Sequence, residues 1–450
     1  MTDTHSKHRV EGRRGAPRAL LAAAGLLAFT ACNLDVVTPD VVPPSATAGA
    51  SALPTLLAGA VGDFAVAYAG INNGNTGEGI VLNSGLFTDE FTSADYFSTH
   101  IEVDGRRVQP PNSSNNGVMR SLFRALTSAN STGQRYIDAR AANDPGHARV
   151  LSLGAYVYTI ISEDYCSGVP FSTINDDGSF NYGSPLTAEQ MRTAALAKFD
   201  SAIAVATAAK DDQQLYLAEV GKGRVLLDAG QFSAAAAAVT NVPNDFNFST
   251  EHGVIDPRTE NGVYSLTWVN PRYTTTNNEG VNGLAFVAAD DPRLPFESLG
   301  TSSFDGQTHL FATTKYGSYT APVAIATGTE ARLIEAEASL HNADYGAALG
   351  ILDALRAAKG MSALTPAATA SEQVDQLFSE RAFWLFGTAH RMGDLRRLVS
   401  PQYGRAVTDV YPSGRYAKGT TYGDQVAFPV PQTEENNPNF TRAACDPSKP

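Results

Sequence analysis

The chain has 450 residues, 43% of them hydrophobic and 18% charged, and a formal net charge of −13. That length is ample for a large buried core. The acidic balance argues against nucleic acid as a partner, because phosphates need a basic surface, and against a polybasic membrane patch.

The chain opens with a positive segment formed by Lys7, Arg9, Arg13, Arg14 and Arg18. Ala19 to Ala31 follows as an apolar run too short to span a bilayer. A charged region before a short apolar one is the layout of an export signal. The residues around Arg13-Arg14 do not support a twin-arginine signal. The run ends at Phe29-Thr30-Ala31-Cys32, which resembles a bacterial lipobox. By that resemblance the peptide is cut before Cys32, the thiol takes a diacylglycerol and the new amine is acylated. Stable anchoring takes more than one chain, at about 0.8 kcal/mol per buried methylene. A triacylated Cys32 meets that need without a spanning helix, and no later stretch reads as a membrane span. The expected organisation is a signal over 1–31, a lipidated tether over 32–48 and one domain over 49–450. Cys166 and Cys445 remain. In an oxidising compartment they either pair, closing a large loop, or stand as separate structural thiols.

From Ser51 the apolar residues Leu53, Leu56, Leu57, Val61, Phe64 and Tyr68 recur at helical spacing. Residues 70–80 read as a Gly/Asn-rich loop. A helix is expected over 119–137. Another is expected over 144–163, opened by Asp144-Pro145, an acidic cap and then proline in the first turn. Its apolar residues cover most of its circumference, so it should be deeply buried. Thr187 opens the next helix, which runs to about Ala209. A weak repeat follows. Residues 214–242 align with 327–355, matching Gly223 to Ala336, Phe232 to Tyr345, Ala235 to Ala348 and Val239 to Leu352. Each copy reads as helix, tight turn and helix, with small residues at the crossing and an aromatic after the turn, a tetratricopeptide-like hairpin. Two copies do not make a free-standing solenoid, so the other helices must pack beside them. Between the copies, 243–320 is long, irregular and rich in aromatics, and loops of that length usually have a function. A last helix is expected over 371–399. The expected class is mainly α, with tetratricopeptide-like hairpins in one scaffold, long irregular loops and few short strands.

Signatures of catalysis are missing. There is no His-Glu-x-x-His, no Gly-x-Ser-x-Gly and no phosphate-cradling loop. "NDDGSFN" (175–181) offers clustered oxygens to calcium but lacks the full loop pattern and reads as a polar turn. A glycosidase needs only two carboxylates at the right separation, and Asp89-Glu90 is the pair to inspect. Glu380, Arg381, His390, Arg391, Asp394, Arg396 and Arg397 are read as one helix carrying a structural ion-pair network.

Several segments, in order, resemble the SusD/RagB family of outer-membrane nutrient-binding lipoproteins. They are "SLFRALTSAN" (121–130), "EDYCSGVPF" (163–171), "DPRL" (291–294) with "KYG" (315–317), "EARLIEAEASL" (330–340), "ERAFWLFGTAHRMGDLRR" (380–397) and "FPVPQTEENNPNF" (428–440). Thr388-Ala389 stands where the family commonly has Glu-Gly, and Trp384 where a charged residue is common.

The resemblance implies a binding protein rather than an enzyme, needing no cofactor. It implies a place on the outer membrane, facing the exterior, as a lid on a SusC-like TonB-dependent transporter, with a glycan or other oligomeric nutrient as ligand. Sugar faces stack on flat aromatics while amides and carboxylates bind hydroxyls, so the site should come from loops between helices. The segment 86–116 offers Asp89, Glu90, Tyr96 and Phe97, with Asp95, Asn112, Asn115 and Asn116 beside them. The segment 264–279 offers Trp268, Arg272, Tyr273 and Asn277, with Trp268 foremost because Trp384 reads as helix core. The alternatives are a surface-tethered carboxylate-dependent glycoside hydrolase and a non-binding scaffold of a transporter complex.

Overall fold

The computed structural model describes residues 49–73, 77–174, 179–442 and 445. Cys32, the signal and the tether lie outside them, as do residues 175–178 of the "NDDGSFN" turn. The first helices are α1 (Leu53–Ala69), α2 (Ile80–Phe87), α3 (Ser98–Asp104), α4 (Ser113–Asp138) and α5 (Pro145–Asp164). Next come α6 (Ala188–Ala209), α7 (Asp212–Asp228), α8 (Phe232–Val239) and a single turn, α9 (Gly262–Tyr264). The chain closes with α10 (Gly328–His341), α11 (Tyr345–Ala358), α12 (Ala370–Trp384), α13 (Arg391–Val399) and α14 (Val407–Val410).

Short polar side chains start many of these helices. A helix leaves its first N–H groups unpaired, and a cap oxygen accepts one of them. Asp144 accepts from Gly146 N ahead of α5, with Pro145 at the first position. Thr187 with Gln190, and Thr369 with Glu372, form reciprocal capping boxes. Asp211, Thr327 and Asp344 cap α7, α10 and α11.

Successive helices then lie side by side. α1 packs on α4, α4 on α5, α5 on α6, α6 on α7, α7 on α8, α8 on α10 and α10 on α11. Val150, Leu153, Tyr156, Val157, Ile160 and Ile161 of α5 are all buried, and each such side chain contributes about 1.5–3 kcal/mol. The segment Ala50–Ala69 is long and apolar enough to cross a membrane, but Phe64, Ala67, Tyr68 and Ala69 are buried in the protein core. The repeat is realised as the pairs α7/α8 and α10/α11. At Gly223 a Cβ would come within 2.6 Å of Val239 in α8 and 3.2 Å of Ile334 in α10, so the absence of a side chain sets how closely the two hairpins approach. Phe232 fills the end of its pair and stacks on His341 with ring centres 3.7 Å apart.

The expected single helix over 371–399 is two helices. Between them Gly387 (φ +66°) and Ala389 (φ +54°) adopt left-handed backbone. The turn is buried, and its carbonyls are met from elsewhere: Lys315 donates to Phe386 O, Tyr316 to Gly387 O and Tyr68 to Thr388 O. The ion-pair network spans both pieces. Arg381 of α12 grips Asp394 of α13 with two hydrogen bonds, and Arg397 does the same with Glu337 of α10. Arg224 of α7 binds Glu163 of α5 and the Ala389 carbonyl. Paired and bidentate, these charges fix how the helices register. Removing one partner from such a pair costs about 3–5 kcal/mol.

Cys166, just past the end of α5, is disulfide-bonded to Cys445 across a sequence separation of 279. The strands among the described residues are short and form two-stranded antiparallel ladders. In one of these ladders Phe91–Ser93 pairs with Tyr273–Thr275, joining two stretches of chain that flank irregular loops.

Candidate functional site

The Phe91–Ser93 ladder brings together the two segments expected to carry a site. Thr92 faces Thr274, and Ser93 faces Tyr273. Just beyond the strand, the chain turns at Asp95 and presents Tyr96, 65% exposed, and Phe97, half-buried. A third ring, Phe304, comes from the turn 303–308. Phe304 N donates to Pro271 O and Asp305 N to Ala94 O, which clamps that turn onto both strands. Asp305 shapes the turn by accepting from the backbone of Gln307 and Thr308. Lys418 also binds it, and together these groups hold its carboxyl well below the usual range against the effect of burial.

The three rings form one platform. Ring centres are 5.5 Å apart for Tyr96–Phe304, 5.8 Å for Tyr96–Phe97 and 6.1 Å for Phe97–Phe304. The Arg272 guanidinium lies under them, 3.7 Å from the centre of Phe304 and 4.5 Å from that of Phe97. Such cation–π contacts are worth about 2 kcal/mol when desolvated, and they fix the rings from behind.

The support continues inward. Asp95 lies 3.4 Å from Arg272 and 2.7 Å from Nδ1 of His100, whose Nε2 pairs with Glu78. Glu78 also accepts from the hydroxyls of Tyr273 and Ser114. Burial pulls the His100 pKa down, but hydrogen bonds and charges from Asp95 and Glu78 outweigh it and raise the pKa to about 9. His100 is therefore an imidazolium at neutral pH that donates from both nitrogens. Beside Glu78 lies a cleft of about 340 Å³ lined by Ser113, Ser114 and Gly117 at the start of α4. Farther along α4 a second cavity of about 650 Å³ is lined by Arg120, Phe123, Arg124 and Phe180.

The other expected site residues sit differently. Tyr273 and Arg272 are fully buried, so they carry the platform rather than face a ligand. Asp89 is buried with both oxygens held by Arg391. Glu90 is buried, accepts from Gly387 N, and is pushed up to about 8 by burial. This pair ties the α12–α13 turn to the ladder and presents no oxygen to a substrate. Asn112 and Asn115 are buried around the start of α4, while Asn116 is half-buried and borders the larger cavity. Asn277 is exposed, and its side-chain oxygen accepts from Ala288 N. Trp268 is half-buried, donates from its indole to Thr313 O and stacks on Tyr264, apart from the Tyr96 group. Trp384 is not deep helix core: it is the half-buried last residue of α12. Phe304 is a site residue that sequence reasoning does not single out. Its one signal is the Ser-Phe-Asp-Gly turn, which is built to hold an aromatic at a bend. Among the described residues no group of three or more His, Cys, Asp or Glu could hold a metal ion.

The chain superposes over most of its length on solved structures that share little of its sequence. Surface glycan-binding protein A from Bacteroides uniformis matches with a TM-score of 0.65 at 13% identity, covering 87% of this chain and 99% of that one. The fold is SusD-like. A SusD superfamily protein from Bacteroides fragilis matches at TM-score 0.64 and 15% identity, over 88% of this chain and 99% of that one. A SusD-like carbohydrate binding protein from Bacteroides vulgatus matches at 0.60 and 12%, over 77% and 83%. No family model matches the sequence, and no curated protein matches it. The SusD-like scaffold thus presents, on this chain, an exposed aromatic platform backed by a buried guanidinium and an imidazolium.

Proposed function

We propose that this chain is a SusD/RagB-type lipoprotein of the outer membrane, anchored through Cys32 and facing the exterior. It captures a glycan or other oligomeric nutrient and delivers it to a SusC-like TonB-dependent transporter. The observation that carries the reading is the platform of Tyr96, Phe97 and Phe304. Flat rings open to solvent and braced from behind suit the apolar face of a sugar ring. Two structural neighbours bear names that describe glycan or carbohydrate binding. The lipobox supports the anchor, and the Cys166–Cys445 bond supports an oxidising compartment.

The test is a binding screen of neutral and acidic oligosaccharides and peptides on the chain starting after Cys32, with Tyr96→Ala and Phe304→Ala beside it. Saturable binding weakened about tenfold, or ~1.4 kcal/mol, in each variant is the expected result. Binding that both variants leave intact would move the site elsewhere. Release of product would replace capture with hydrolysis.

A further inference from the structure

A cavity of about 470 Å³ lies between the strand Ala324–Thr327, the first turn of α10, the end of α12 and the loop around Pro292. It is separate from the aromatic platform. Its walls are largely apolar, with Pro292, Pro295, Ile325, Leu385 and the ring of Trp384 among them. Two lysines, Lys315 and Lys359, also line it. The Lys315 ammonium donates to the carbonyl of Phe386 at 2.6 Å. Among the described residues neither lysine forms an ion pair with a carboxylate.

The surrounding charges do not compensate them. Arg293 is fully engaged by Asp291 and Glu380, and Arg356 takes the same Glu380. Glu330 and His390 also line the cavity, 2.9 Å apart. Burial and the charge of Arg224 hold His390 below its usual pKa, so the charge set against Glu330 is that of Arg224. Glu90 acts on Lys315 from across the α12–α13 turn but is pushed up to about 8 and so is mostly protonated at neutral pH. Burial pulls the Lys315 pKa down to about 8, and the charge of Lys359 adds to that. Two like charges facing one apolar-walled space oppose each other, and an unpaired buried charge is costly. An anion entering the space would relieve both terms at once.

We propose that this cavity binds a small organic anion, a carboxylate or phosphate on an apolar body, with Lys315 as the charge contact, Lys359 at the rim and Trp384 as a wall for the body. An ammonium on a flexible stem reads charge rather than fork geometry, so either anion fits. The apolar walls select against a free inorganic ion.

The chain has two tryptophans, so Trp268→Phe leaves Trp384 as the single indole reporter. In that background benzoate, phenyl phosphate, inorganic phosphate and the uncharged benzamide are titrated against Trp384 fluorescence. Saturable quenching by benzoate or phenyl phosphate, and none by benzamide or inorganic phosphate, is expected. The two organic anions then tell carboxylate from phosphate. Lys315→Met should weaken binding roughly ten- to hundredfold, the range of a charge-assisted hydrogen bond. Because Lys315 also braces the α12–α13 turn, the exposed Lys359→Gln is run in parallel and should weaken binding severalfold with the fold intact. Affinity should fall as pH rises through about 8, where Lys315 loses its proton. Equal quenching by benzoate and benzamide, quenching by neither organic anion, or binding indifferent to both lysine variants would overturn the proposal. Tyr96→Ala should leave this binding unchanged, which separates it from the glycan reading.

Discussion

Burial alone would strip the proton from His100, and its two carboxylate neighbours reverse that. The sign of the pH effect follows. A group whose folded pKa stands near 9, against 6.5 in the open chain, contributes stability that is fully present below 6.5 and lost as pH rises to 9. The contribution is on the order of 3 kcal/mol. Glu78 and Asp95, held below the usual carboxylate range despite burial, lose their contribution at the acid end instead. His100→Gln should therefore destabilise the chain most near pH 6, and the gap in urea midpoint between variant and parent should narrow toward pH 9. A gap that does not change with pH would mean that His100 is neutral. At this scale the sequence is half legible. Tyr96 and Phe97 can be singled out because an aromatic pair in a polar loop has few uses. Arg272 and Tyr273 look like ligand contacts because those residue types usually are. Nothing in the order of residues says that Asp95 lies beneath one and Glu78 beside the other. Asp89-Glu90 misleads for the same reason, since the Arg391 that neutralises Asp89 lies 302 positions away.

Helix starts are the most readable elements. A cap and its recipient N–H are two or three residues apart, so Asp144-Pro145 and Thr187 with Gln190 carry their meaning locally. The break between α12 and α13 is set otherwise. The helical pattern of side chains runs on through it, there is no proline, and the turn is held by Tyr68, Tyr316 and Lys315 from remote segments. Its one local mark is Gly387. Gly387→Ala adds a methyl group in left-handed backbone, 3.1 Å from the Tyr316 ring, and should lower the unfolding free energy by about 1–2 kcal/mol. Gly404 has φ +64° with nothing within 4 Å of its Cβ position, so Gly404→Ala isolates the backbone share of that loss. Equal losses at the two sites, read from denaturant midpoints, would show that Tyr316 yields freely.

For the whole molecule, helical periodicity and the repeat are enough for a mainly helical scaffold, and six short motifs in order point to its architecture. Whether Cys166 and Cys445 meet is beyond the sequence, because their separation along the chain carries no information about distance. Their bond closes a loop large enough to contribute up to about 5 kcal/mol through the open chain's lost freedom. Cys445→Ser should lower the melting temperature and make the parent's sensitivity to reductant disappear. The bond also alters how the molecule bears load. Tension entering near α1 and leaving near residue 445 crosses from Cys166 directly to Cys445, so the chain between them is bypassed. In an optical trap the oxidised protein should stretch only through the segment ahead of α5's end. Adding reductant should release roughly 950 Å more, at about 3.4 Å for each of the 279 residues set free. Under such tension the hairpins, the Phe304 ring and the lysine-lined cavity stay largely out of the line of force.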